Sequence, residues 1–121
     1  MKINSSFIPS ENYSTTEKKV GTWFNGDTIY RKVFSLNNWP NNGTTQLSHG
    51  ITNLKKVIKI EYTWYDTDDK RWFYGLRNDA TDIYIKVGSV SSTTIYCLGR
   101  GTDWSRRTTD VNIVMEYTKN S

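Results

Sequence analysis

The segment YDTDDKR places Asp66, Asp68 and Asp69 close together, with Glu61 a few residues earlier. Paired carboxylates can cleave glycosidic bonds if they face each other about 5–9.5 Å apart, so a small polysaccharide depolymerase is one hypothesis. A solvated hairpin loop explains the same acids without catalysis. The segment does not fit an EF-hand calcium loop, because glycine is missing at the sixth position and glutamate at the twelfth. An ion bound by Asp66 and Asp68 stays an alternative, but we expect no cofactor.

His49 is the only histidine and Cys97 the only cysteine. A serine triad would need His49 between a carboxylate and a nucleophilic serine. The sequence SHGI instead indicates a turn in which the ring bonds to neighbouring backbone. A single cysteine excludes an intramolecular disulfide, and its place in TTIYCLG predicts a buried thiol. We therefore predict no catalytic residues and expect that the protein is not an enzyme.

Aromatic rings in polar loops indicate saccharide binding, because a sugar presents an apolar C–H face fringed by hydroxyl groups. Trp39 in NNWPNNG and Trp104 in TDWSRR have suitable Asn, Asp and Arg neighbours, although either ring could instead anchor its loop on the core. The candidate ligand-binding residues, chosen for loop position and side-chain type, are Trp39, Asp66, Asp68, Trp72, Arg77, Asp103, Trp104, Arg106 and Arg107.

The composition fits one domain of 121 residues that is rich in aromatic side chains, with 5 Trp and 8 Tyr. The net charge of +4 is mild, and basic residues are interleaved with acids in the second half, so we expect no nucleic-acid binding. No stretch approaches the roughly 20 apolar residues that cross a bilayer, which predicts no membrane insertion. The amino-terminal region lacks the apolar segment of a secretion signal, which predicts synthesis in the cytoplasm.

Alternation with period two predicts strands that bury one face. In VIKIEYTWYD the inner set is Ile58, Ile60, Tyr62 and Trp64, with Lys59, Glu61 and Thr63 facing outward. VNIVMEYTK and DIYIKVG alternate in the same way. Asn25 and Gly26 predict a type I′ turn that folds residues 20–24 back on residues 28–36. We predict an all-β protein, an antiparallel β-sandwich or barrel of about seven to eight strands.

Three stretches resemble the carboxy-terminal head domain of bacteriophage tail-fibre and baseplate receptor-binding proteins. The first is YSTTEKKVGTWFNGDTIYRKVF, residues 13–34, which carries the pattern G-x-W-x-[DN]-G-x-x-I-Y-R-K. The others are WPNNGTTQLSHGITN, with its H-G-I turn, and the closing VNIVMEYTKNS. Between about residues 62 and 107 no resemblance is evident. The matching positions are Gly21, Trp23, Asn25, Gly26, Ile29, Tyr30, Arg31, Lys32, His49, Gly50, Ile51, Glu116, Tyr117, Thr118 and Lys119.

The resemblance implies a homotrimeric head domain that binds a host cell-surface polysaccharide or protein receptor, with the motif residues serving as scaffold. The opening residues are polar, contain Pro9 and show almost no alternation, so we predict residues 1–14 to be a linker or stalk-proximal segment and residues 15–121 to be the head. We expect other tail or baseplate proteins to contact the amino-terminal side. The expected location is the virion tail tip or a tail-like bacteriocin particle. Besides the depolymerase, a purely structural fibre cap without a receptor stays an alternative.

Overall fold

A computed structural model describes residues 13–40, 43–81 and 83–120, and β-strands account for most of them. Residues 1–12 of the predicted linker lie outside the described residues, so the division of the chain at residue 14 stays a prediction. The elements are β1 (Lys18–Thr22), β2 (Thr28–Leu36), β3 (Gly43–Ser48), β4 (Leu54–Asp66), β5 (Arg71–Tyr74), β6 (Arg77–Ala80), β7 (Ile83–Val90), β8 (Thr94–Arg100), α1 (Trp104–Arg107) and β9 (Thr108–Lys119). In this part of the chain, no helix is long and apolar enough to cross a membrane.

The strands form two antiparallel sheets, in the orders β1-β2-β9-β4-β5 and β3-β8-β7-β6. The all-β prediction is confirmed, and the architecture is a sandwich. The described residues contain nine strands, slightly more than predicted. The segment after the acidic loop forms two short strands, β5 and β6, and it crosses from one sheet to the other between them.

The core lies between the inner faces of the two sheets. On β4, Tyr62 and Trp64 are buried while Glu61 and Thr63 are exposed, as the alternation predicts. Earlier in the strand, Val57 packs on the core in place of the predicted Ile58, because the register shifts between Val57 and Lys59. The central strand β9 pairs with β2 on one side and β4 on the other. Its buried inner residues are Val111, Ile113, Met115 and Tyr117.

The predicted hairpin between β1 and β2 is present, but its turn is not type I′. Gly26 has a positive φ of 95°, whereas Asn25 does not have a positive φ. The Trp23 N–H donates to the Asp27 carbonyl at 2.7 Å, which encloses a three-residue loop, 24–26. The Asn25 side chain accepts the Asp27 N–H at 3.0 Å. Because Asn25 makes this local bond, only the glycine needs the left-handed conformation.

Candidate functional site

Trp39 and Trp104 are fully buried, so neither ring can stack on a ligand in this structure. Trp39 Nε1 donates to the Leu98 carbonyl at 3.1 Å, and Trp104 Nε1 donates to the Arg100 carbonyl at 2.9 Å. Both rings pack on Gly99, where an added Cβ would lie 3.0 Å from Trp104 and 3.3 Å from Trp39. The prediction that these rings contact a ligand is therefore wrong. The alternative, that each ring anchors its loop on the core, is confirmed.

Asp66 is fully buried, which the sequence did not indicate for a residue of an acidic loop. Its carboxylate accepts hydrogen bonds from Arg107 Nε at 2.9 Å and from the guanidinium of Arg77. It also accepts the backbone N–H groups of Asp68 and Asp69 at 2.9 and 3.0 Å. Burial acts to raise the pKa of Asp66, but these hydrogen bonds outweigh it and lower the pKa to about 2.

Arg77 has carboxylate partners for all three of its nitrogens. In addition to Asp66, it donates to Asp69 at 2.9 Å and to Asp79 at 3.0 Å. Its guanidinium lies 3.9 Å from the centre of the Phe73 ring. Each nitrogen of Arg77 already has a carboxylate partner, which is Asp66, Asp69 or Asp79. None of the three nitrogens is left over for a ligand.

Asp66, Asp69, Arg77, Asp79 and Arg107 form a set that we call the charged cluster. It joins the end of β4, the β4–β5 turn, strand β6 and the last residue of α1 at one end of the sandwich. The structure thus brings several predicted site residues together. Because both arginines are paired with carboxylates inside the set, this arrangement fits a structural role better than ligand binding.

The remaining loop candidates are accessible. Asp68 and Arg106 are exposed and lie 3.8 Å apart across the end of the charged cluster. Asp103 is also exposed and caps α1, accepting the Arg106 N–H at 3.3 Å and the Ser105 hydroxyl at 2.5 Å. The bond from Ser105 is the main cause that lowers the pKa of Asp103. These three residues can still reach a ligand at this end of the molecule.

Trp72 is the predicted contact residue whose ring is open to solvent, with an exposed fraction of 56%. It lies on the outer face of β5, opposite Tyr65 of β4, and the two ring centres are 5.3 Å apart. Tyr74, two residues later on the same face, is 81% exposed. Phe73 points inward and stacks on Trp64. We call Tyr65, Trp72 and Tyr74 the aromatic row.

Polar groups and a concavity adjoin the aromatic row. Thr63 faces Tyr74 across the β4–β5 pair, and Asn112 of β9 faces Thr63 from the other side. A concavity of about 460 Å³ next to Tyr74 is lined by Ile60, Glu61, Tyr62, Thr63, Tyr74 and Gly75. Exposed rings thus lie beside a hydroxyl, an amide and a carboxylate.

Sequence reasoning missed Tyr65 and Tyr74 as members of this surface. The alternation in RWFY could have placed Trp72 and Tyr74 on one face, with Phe73 on the other. Nothing local shows that Tyr65 stands opposite Trp72, because that depends on the register of β4 and β5. Strand register is a tertiary property that alternation alone does not fix.

Cys97 is buried, as predicted, and His49 is buried as well. The His49 ring bonds to backbone on both sides, with Nδ1 accepting the Ile51 N–H at 3.0 Å and Nε2 lying 2.9 Å from the Ser91 carbonyl. Burial raises the pKa of the Cys97 thiol to about 11. Within residues 13–40, 43–81 and 83–120, no three His, Cys, Asp or Glu side chains are grouped to hold a metal ion.

No protein-family model matches the chain, and no curated protein or solved structure shows significant similarity to it. The resemblance to phage head domains therefore rests on the sequence motifs.

Proposed function

We propose that this chain is an adhesive head domain that binds host cell-surface carbohydrate through the aromatic row, as part of a phage tail or tail-like particle. The observation that carries the proposal is the exposure of Trp72 and Tyr74 on the outer face of β5, while Trp39, Trp64 and Trp104 are buried. Burying a large apolar side chain gains about 1.5–3 kcal/mol, so leaving two such rings in water indicates an interaction surface.

The chemistry of the row suits a saccharide. The faces of Trp72 and Tyr74 can cover the apolar side of a sugar ring, as aromatic side chains do at binding sites generally. Thr63, Asn112 and Glu61 offer donors and acceptors for the hydroxyl groups around that ring. The exposed Asp68 and Arg106 extend the polar rim toward the loop end of the sandwich.

Adhesion through weak sites requires several copies. A millimolar site supplies only about 4 kcal/mol. Linked copies raise the overall affinity by roughly 10² to 10⁴ without new contacts. The homotrimer implied by the sequence resemblance would supply such copies, and we retain it as part of the proposal.

The test compares the binding of Trp72→Ala and the parent protein to host cells and to immobilised envelope polysaccharide. Removing a central aromatic contact costs about 2 kcal/mol or more, which is roughly a 30-fold weaker affinity. Phe24→Ala is the matched control, because Phe24 is 87% exposed but lies in the β1–β2 loop, outside the row. Equal binding by Trp72→Ala and Phe24→Ala would reject the row as the contact surface.

Two alternatives from the sequence predict different results. A depolymerase would release new reducing ends from envelope polysaccharide; the charged cluster lends it little support, because Asp66 is buried and its low pKa is unsuited to a general acid. A structural fibre cap would bind no cells at all. Sustained product release would replace the adhesion proposal with the enzyme.

A further inference from the structure

The outer surface of the five-stranded sheet continues beyond the aromatic row. Because β9 buries Ile113 and Met115 in the core, Asn112 and Val114 point to the outer side. The strand register aligns both of them with residues of the neighbouring strands. We call this surface the broad face. Its two central lines, which run across the strands, are Tyr74, Thr63, Asn112, Ser35 and Glu61, Val114, Val33.

The broad face has an apolar line beside a polar line. Val33 and Val114 are half-buried neighbours, so part of each side chain is open to solvent. Ser35 and Thr63 are exposed, and Asn112 between them is half-buried. Hydroxyl and amide side chains both donate and accept hydrogen bonds. A sugar chain carries the matching features, apolar C–H faces and hydroxyl groups, so it is chemically complementary to the broad face along its length.

A second exposed aromatic ring stands at the far end of the broad face. Tyr13 is 62% exposed, and the guanidinium of Arg31 lies 4.2 Å from the centre of its ring. Arg31 bonds to Glu116 of β9, which alternates with buried residues and therefore faces outward. The Ser14 carbonyl accepts the Val33 N–H at 2.9 Å, which holds the segment before β1 beside β2. Tyr13 thus lies at the end of the broad face opposite the aromatic row.

The charged groups on the broad face balance one another near its centre. Arg31 lies 2.7 Å from Glu116, and Lys59 lies 3.8 Å from Glu61. These four groups carry two charges of each sign. Lys18 of β1 stands opposite Arg31 and adds one positive charge at the margin. A centre without net charge favours a neutral sugar chain over an acidic one.

The width of the broad face sets the length of its ligand. Neighbouring strands lie about 4.8 Å apart, so the three spacings from β5 to β2 amount to roughly 14 Å. A single sugar ring cannot reach from the aromatic row to Tyr13, whereas a chain of several sugars can. We propose that the broad face is an extended site for a neutral, linear glycan segment, which crosses the strands from Trp72 and Tyr74 to Tyr13. This inference rests on the proposed function and adds the length and direction of the ligand.

The test measures, by calorimetry, the affinity of the full chain for fragments of neutral envelope polysaccharide that have been sorted by length. We expect the affinity to rise with fragment length and to level off once a fragment spans the broad face. Tyr13→Ala should weaken the binding of long fragments about tenfold and leave the shortest fragments unchanged, because only long fragments reach that ring. Trp72→Ala should weaken fragments of every length. Phe24→Ala is again the control for the loss of an exposed ring.

A second variant interrupts the broad face between its two aromatic ends. Val114→Glu places an unpaired charge in the apolar line, so it should remove the gain in affinity of long fragments over short ones. Thr44→Glu is the matched control, because it adds the same charge at an exposed β-branched residue of β3, which belongs to the other sheet.

Three results would overturn the inference. If affinity does not depend on fragment length but Trp72→Ala still weakens binding, the extended site is rejected and the proposed function stands. The same conclusion follows if Tyr13→Ala binds long fragments as tightly as Phe24→Ala does. If the parent protein binds no fragment at all, the proposed function fails together with the inference. Circular dichroism confirms that each variant is folded, so that lost affinity is not lost structure.

Discussion

At the residue scale, the feature with the largest expected effect on stability is Asp66. Its carboxylate has no exposed surface, yet it stays ionised because Arg107, Arg77 and two backbone N–H groups donate to it. Removing one partner of a buried ion pair costs about 3–5 kcal/mol, since the other charges remain buried without compensation. The acidic loop therefore holds the fold together at this end.

The free energy of unfolding should depend on pH through Asp66. The pKa of Asp66 falls from its ordinary value of 3.8 to about 2 in the folded protein. A lowered folded pKa gives stability that is fully present above 3.8 and is lost as the pH falls toward 2. The expected contribution is about 2 kcal/mol. Urea unfolding at pH 7, 4 and 2.5 measures it, and Asp66→Asn should be less stable at pH 7 and lose this acid dependence.

Asp68→Asn is the control for this experiment, because Asp68 lies in the same loop but is exposed. Exposed ion pairs contribute about 0–1 kcal/mol, so this variant should unfold almost like the parent. If Asp66→Asn kept the full acid dependence of the parent, Asp66 would not be its source.

At the element scale, Gly99 lets β8 accept two loop tryptophans. Trp39 comes from the segment after β2 and Trp104 begins α1, and both rings rest where a side chain would otherwise be. Each ring is fixed further by a backbone carbonyl of β8. The loops are thus anchored on β8, which explains why two polar segments bury their tryptophans.

Gly99→Ala should destabilise the protein by about 1–3 kcal/mol, the usual cost of overpacking a core. The added methyl group would lie 3.0 Å from Trp104 and 3.3 Å from Trp39, and neither buried ring can move freely. Gly21→Ala is the control, since its nearest neighbour is 4.0 Å away. Thermal unfolding of both variants gives the comparison. Equal midpoints would show that the rings can shift.

At the scale of the whole molecule, the aromatic row adjoins the concavity of about 460 Å³, because Tyr74 lies in the row and also lines the concavity. The proposed homotrimer would present three such rows together. Carbohydrate binding and assembly then act together. The first supplies weak contacts, and the second sets how many contacts act at once.

This arrangement predicts that the parent protein adheres to cells more tightly than one copy binds its ligand. Cell binding should exceed the affinity of one copy by roughly 10² to 10⁴, because linked copies bind together. Cell-binding assays measure the first quantity, and calorimetry with a soluble fragment of envelope polysaccharide measures the second. Equal values would mean that the copies do not act together.

The sequence by itself determined most of the strands and most of their inner residues. Tyr62, Trp64, Val111 and Ile113 are buried where alternation places them, because a strand exposes every second side chain to the same side. The same local pattern also fixed Cys97 as a buried thiol. It could not reveal which loop aromatics are exposed.

Only the tertiary structure decided the candidate site. Trp39 and Trp104 are buried where they pack on Gly99 of β8. Asp66 is bound by arginines 11 and 41 positions further along the chain. Tyr65 meets Trp72 because of the register between β4 and β5. Alternation is a property of neighbouring residues, whereas these contacts join segments that are distant in the chain. Their partners are set by how the sheets pair and pack, which no single segment encodes.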